Sequence, residues 1–183
     1  MKKLISKIIF SLLGWEIITS SYFPEKCIIV AAPHTSNWDF LFGRCFSYIV
    51  DIKPKYLAKS QLFIPVLGYL LKLNGGVPVY RDSKNDIVQQ MVSLFQKHKK
   101  FILGIAPEGT RSKVEKWKTG FYYIALEAKV PIILTGIDYK KKVIGVIGKL
   151  IPTGDFNKDM KYIQDKFQYL YPKNPQNYNI NIF

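Results

Sequence analysis

His34 and Asp39 stand five residues apart in the segment Pro33-His34-Thr35-Ser36-Asn37-Trp38-Asp39, directly after the apolar run Cys27–Ala32. Across a strand-to-helix loop that spacing lets the carboxylate accept from one imidazole nitrogen while the other works as a base, an arrangement suited to taking a proton from a hydroxyl. The plainer reading makes Asp39 or Asn37 a helix N-cap and His34 an ordinary loop residue. A second polar segment, Pro107-Glu108-Gly109-Thr110-Arg111-Ser112, follows the run Phe101–Ala106. Gly109 permits a close backbone approach, Thr110 and Ser112 offer hydroxyls, and Arg111 offers a planar fork suited to phosphate. A turn with a solvated arginine is the alternative, and no GxxxxGK[ST] loop occurs. In a third segment, Gly75-Gly76-Val77-Pro78-Val79-Tyr80-Arg81-Asp82, Arg81 either joins Arg111 around one phosphate or stays in solvent beside Asp82. Ser36 is a poor nucleophile candidate, since it lies two residues from His34 with no GxSxG elbow around it.

Strands and helices must hold these loops. Short apolar runs at Cys27–Ala32, Lys55–Ala58, Val77–Tyr80, Phe101–Ala106, Pro131–Ile137 and Lys142–Leu150 read as strands, the last as one strand or two. Helical patterns lie at Phe40–Ile49, Gln61–Leu73, Asn85–His98, Thr119–Ala128 and Lys158–Leu170. The alternation predicts an α/β fold, a single domain with a central mixed sheet covered by helices. Ligands gather beyond the carboxyl ends of strands in such sheets, which is where the His34 loop stands.

With 183 residues, 48% apolar and 22% charged, the chain can bury roughly 70% of its unfolded surface, which excludes disorder and a disulfide miniprotein. Lys and Arg number 27 against 13 Asp and Glu, a formal charge of +14, so an anionic partner is expected. Cys27 and Cys45 match no CxxC spacing, and no metal site is expected. Residues 1–20 are expected to form an amphipathic membrane-docking helix with Leu4, Ile5, Ile8, Ile9, Leu12 and Leu13 on one side and Lys3, Ser6, Lys7 and Ser11 largely opposite. A helix packed on its own domain has the same pattern. Lys7, Ser11 and Glu16 interrupt the apolar stretch, which is too short for a span and is followed by no cleavage site. Residues 21–171 are expected to form the catalytic domain and 172–183 a C-terminal tail.

The order and wording of the three loops resemble the glycerolipid acyltransferase family that includes 1-acylglycerol-3-phosphate acyltransferases. His34–Asp39 resembles its HxxxxD block, Gly76–Arg81 its glycine-to-arginine block, Pro107–Ser112 its PEGTRS block and Val130–Ile133 its apolar strand block. The resemblance implies transfer of a fatty acyl group from acyl-CoA or acyl carrier protein, used as co-substrate without a cofactor, to the free hydroxyl of a lysophosphatidate-type acceptor. It implies His34 as base, Asp39 as its orienter, and Arg81, Glu108, Gly109, Thr110 and Arg111 as the acceptor site. Tyr80 and Ala106 depart from the family pattern and bear on the acceptor, with a lyso-ornithine lipid or another lysolipid as the alternative. The expected partners are a lysophospholipid, the acyl donor and an anionic membrane surface, at the cytoplasmic side of the cell membrane with peripheral attachment, and no nucleic acid. The competing class is a basic nucleic-acid-binding module. It leaves His34–Asp39 and the PEGTRS segment unexplained, and the sequence holds no helix-turn-helix, zinc pair or RNP-like strand.

Overall fold

The computed structural model of the chain describes residues 1–18, 23–79 and 84–183. Its elements run α1 (Lys2–Leu13), β1 (Glu16–Ile18), β2 (Lys26–Ala32), α2 (Asn37–Ile49), β3 (Lys55–Lys59), α3 (Pro65–Leu73), β4 (Gly76–Val79), α4 (Lys84–Lys97), β5 (Phe101–Ile105), α5 (Gly120–Ala128), β6 (Ile132–Asp138), β7 (Val143–Leu150) and α6 (Phe156–Phe167). The strands make one mixed sheet in the order β1-β7-β6-β2-β5-β3-β4. Every pairing is parallel except β6 with β7, which are joined by a short turn.

Alternation along the central strands sorts their side chains onto two faces. Ile28, Val30 and Ala32 of β2, with Ile132 and Leu134 of β6, enter the larger core beside Phe95 of α4, Phe121 of α5 and Phe167 of α6. On the opposite face α1 and α2 build a smaller aromatic core in which Phe10, Trp15 and Phe42 meet Ile137 and Ile144. The result is a sheet with helices on both sides, and β6, next to the central β2, is buried at every residue.

The amino-terminal helix is shorter than expected. It stops at Leu13, Gly14 takes the left-handed conformation at φ 68°, and Glu16–Ile18 pairs with β7 as an edge strand. Its orientation is informative. Ser6 and Phe10 are buried toward the domain, whereas Leu4, Ile5, Ile8, Leu12 and Leu13 remain exposed. Phe10, which blurs the polar face in sequence, is the residue that docks the helix. The last apolar run forms one strand, Val143–Leu150. Residues 172–183, expected as a tail, close the domain: Ile182 is fully buried, its carbonyl accepts from the Trp117 amide at 2.9 Å, and the Asn179 side chain donates to the Val114 and Glu115 carbonyls.

Candidate active site

Three loops leave the carboxyl ends of neighbouring strands. β2 lies between β5 and β6, with Val30 opposite Ile105 and Ala32 opposite Gly136, so the segments following these strands emerge side by side. The His34 loop leaves β2 through a cis Ala32–Pro33 bond and turns into α2. Ser36 is the N-cap, its hydroxyl accepting from the Trp38 amide at 3.2 Å, and Asp39 occupies the third helical position of a capping box. Oδ2 of Asp39 accepts from the Thr35 and Ser36 amides at 2.6 and 2.7 Å. His34 Nδ1 stands 3.5 Å from that same oxygen. Asp39 therefore serves both readings offered by the sequence: it caps the helix and it faces the imidazole. The histidine side chain is 24% exposed and the aspartate 5%. Nδ1 is turned toward the carboxylate, which leaves Nε2 for a substrate. The 3.5 Å separation exceeds a formed hydrogen bond, as is common at catalytic pairs without substrate.

Two further residues hold the pair. Tyr139, just past β6, donates its phenol to Oδ1 of Asp39. Burial, followed by the hydrogen bond to Asp39 and that carboxylate's charge, pushes the phenol well above its ordinary range, so it remains a donor. Glu108 turns inward and is 4% exposed; Oε1 accepts from the His34 amide at 2.8 Å, which ties the Pro107–Ser112 loop to the His34 loop. Among the described residues its Oε2 is buried without a hydrogen-bond partner, and burial raises the carboxyl to about 7. The adjacent backbone and the His34 amide oppose that shift.

A cavity of about 1180 Å³ opens at His34 and Asp39. Gly109, Thr110 and Arg111 line it, whereas Glu108 of the same segment does not. Arg111 is exposed, and Gly109 adopts φ 65° with the Lys118 amine pressed so close that a Cβ there would lie 2.7 Å from Nζ. Residues of α2 and β3 also line the cavity, among them the apolar Phe40, Phe46 and Leu57 with Ile52 between the two elements, beside Arg44, Ser47 and Lys55. Arg81 lies outside the described residues. His34, Asp39, Gly109, Thr110 and Arg111 are thus brought to one cavity, with Glu108 behind it. Sequence reasoning missed Tyr139, which is 100 positions from Asp39. Its signal was topological: a parallel β2–β6 pairing puts whatever follows β6 beside the loop after β2. Lys118 also lines the cavity.

The fold and site are a mixed α/β sheet with a His-Asp pair at a strand end, beside one cavity lined by both cationic and apolar side chains. The Acyltransferase family pattern matches residues 15–137, and the chain belongs to that family. It is 32% identical to the 1-acyl-sn-glycerol-3-phosphate acyltransferase of Escherichia coli over 57% of this chain and 44% of that protein. A probable 1-acyl-sn-glycerol-3-phosphate acyltransferase of Mycoplasma pneumoniae is 28% identical over 89% of this chain and 63% of its own length. An uncharacterized acyltransferase of Schizosaccharomyces pombe is 29% identical over 73% and 48%. The chain thus spans about half the length of the curated relatives it matches. Its fold is shared with the crystal structure of the 1-acyl-sn-glycerophosphate (LPA) acyltransferase PlsC from Thermotoga maritima, with a TM-score of 0.61 at 20% identity, covering 90% of this chain and 74% of that one.

Proposed function

We propose that the protein transfers a fatty acyl group from an acyl thioester, acyl-CoA or acyl carrier protein, to the free hydroxyl of a lysophosphatidate-type acceptor in phospholipid synthesis. The observation that carries this reading is one cavity whose wall includes His34, Asp39 and Arg111 together with Phe40, Phe46, Ile52 and Leu57. Nε2 of His34 takes the hydroxyl proton as the acceptor oxygen bonds to the thioester carbonyl carbon. The tetrahedral intermediate then collapses, the carbon–sulfur bond breaks, and the leaving thiolate recovers the proton from the imidazolium. No cofactor enters this sequence. Asp39 holds the tautomer and stabilises the imidazolium, while Arg111, with Gly109, Thr110 and Arg81, binds the acceptor's phosphate and glycerol. Such positioning lowers a bimolecular barrier by up to about 7–11 kcal/mol. Glu108 acts from behind, fixing the His34 backbone.

Both lipids partition into bilayers, so the reading includes peripheral attachment at the cytoplasmic side of the cell membrane, through the exposed Leu4, Ile8 and Leu12 of α1 and the neighbouring Lys2, Lys3 and Lys7. Among the described residues no helix is long and apolar enough to cross a membrane. Acyl transfer by the purified protein, measured against a panel of lysolipids with acyl-CoA and acyl carrier protein donors compared, tests the proposal. Turnover is expected with a phosphate-bearing lysolipid, falling about 10²–10⁴-fold in a folded His34→Ala protein. Arg111→Ala is expected to raise KM for the acceptor more than it lowers kcat. A folded His34→Ala protein at parental rate would overturn the assignment.

A further inference from the structure

We propose that α3 and the turn before it form a second bilayer-docking face, separate from α1, that sets the cavity against anionic lipid. This rests on the lipid-acyltransferase reading. α3 is apolar around nearly its whole circumference, and a helix of that composition is ordinarily enclosed by protein. Here it is not. Val66 and Leu73 are 77% and 67% exposed, and Leu62, Ile64, Tyr69 and Leu70 are exposed with them. The helix is held chiefly at Gly68, its one buried residue, where a Cβ would come within 2.7 Å of the Phe63 backbone.

Charge selects the occupant. Between residues 52 and 79 the chain carries Lys53, Lys55, Lys59 and Lys72 and no acidic residue. An apolar patch set among lysines complements a bilayer of anionic headgroups over acyl chains. A second copy of the chain would bring the same lysines against themselves, in a molecule already at +14. Continuity points the same way. The Lys2 amine of α1 lies 5.4 Å over the Tyr48 ring, the Arg44 guanidinium lies 5.0 Å from that ring, and Arg44 Nη2 donates to the Asn74 side chain that ends α3, at 2.9 Å. The start of α1 and the end of α3 therefore meet on one stretch of α2. One turn earlier Phe40 and Leu41 are exposed, and Phe40 packs edge-on against Tyr56. Phe40, Arg44 and Tyr56 all line the cavity. An acyl chain entering between them passes from lipid into the cavity without crossing water.

The full chain and a Val66→Glu/Leu70→Glu variant, with circular dichroism showing both folded, are compared in co-sedimentation with phosphatidylglycerol-rich vesicles. Turnover of a vesicle-borne lysophosphatidate and of a short-chain, water-dispersed one is measured in parallel. The expected result is at least a tenfold loss of vesicle binding and of vesicle-borne turnover, with parental turnover of the short-chain acceptor. As a direct readout, a Leu70→Trp chain is expected to be quenched by brominated phospholipid. Parental binding by the double-glutamate variant, absence of quenching, or a parent chain that is dimeric in solution and made monomeric by the substitutions would each overturn the docking face. Loss of short-chain turnover in the parent would instead count against the acyltransferase reading itself.

Discussion

Asp39 carries two loads with its two oxygens. Oδ2 is occupied by two loop amides and faces the imidazole, while among the described residues Oδ1 receives only the Tyr139 phenol. Removing that donor frees the carboxylate to turn away from His34. Tyr139→Phe keeps the ring against Trp15 and Phe42. It is expected to lower kcat about tenfold, the equivalent of ~1.4 kcal/mol in the barrier, with KM for the acceptor unchanged and the acid limb of the rate profile displaced. A merely structural tyrosine would alter the melting temperature and leave the profile in place. Glu108 makes a different kind of demand. The fold holds its carboxyl at about 7, against about 4.3 for an unperturbed glutamate, so between those pH values the folded state binds a proton that the unfolded chain has released. Stability from this group is complete below about pH 4 and is lost as pH rises through about 7, by on the order of 3 kcal/mol. Glu108→Gln retains an acceptor for the His34 amide and cannot titrate. Its denaturation free energy, measured from pH 4.5 to 8, is expected to gain on the parent's as pH rises; parallel curves would show that the carboxyl ionises without cost.

At the level of elements, α2 links packing to the proposed chemistry, because Asp39, 3.5 Å from His34, also belongs to the helix's capping box. Ser36→Ala removes the cap hydroxyl, and by the cost of a lost N-cap the protein is expected to lose about 1 kcal/mol. Turnover should stay within a few-fold of the parent, since the Asp39 contacts to the Thr35 and Ser36 amides persist; abolished turnover in a folded variant would return Ser36 to consideration as a nucleophile. The strand and helix positions around this loop were legible in sequence because β2, β5 and β6 are uninterrupted apolar runs ending in polar loops, a pattern that burial on both sheet faces imposes. The three-residue edge strand Glu16–Ile18 was not. It continues the apolar stretch of α1, and only Gly14 at positive φ marks the break. The His34–Asp39 pair was readable from its spacing, whereas Tyr139 was hidden, because a contact across 100 positions is set by strand order and leaves no local trace. The closing segment was misread for a related reason: asparagines and prolines suggested a tail, but Asn174 bonds Thr35 and Asn179 bonds Val114 and Glu115, just past the Pro107–Ser112 loop.

Across the whole molecule, the proposed docking sets a charge of +14 and the exposed apolar residues of α1 against one anionic bilayer by different physics. Lysines near an anionic surface contribute about 1 kcal/mol each and are screened within a Debye length of about 8 Å at 0.15 M salt, whereas apolar insertion is insensitive to moderate salt. Attachment of the full chain to phosphatidylglycerol-rich vesicles is therefore expected to weaken more than tenfold between about 50 mM and 500 mM salt, by loss of the lysine contributions, and to settle at a residual level set by apolar insertion. The contribution of α1 is to be measured by substitution rather than deletion. A chain beginning at Ser21 would strip Phe10 and Trp15 from the smaller core, so lost binding and lost folding would be confounded. Leu4→Ser/Ile8→Ser/Leu12→Ser changes only exposed positions and leaves Ser6 and Phe10 seated. This variant is expected to melt with the parent, to retain the salt-sensitive part of vesicle binding, and to lose much of the residual part in co-sedimentation at high salt. If its high-salt binding equals the parent's, α1 serves as a packing element alone and apolar insertion occurs elsewhere on the surface.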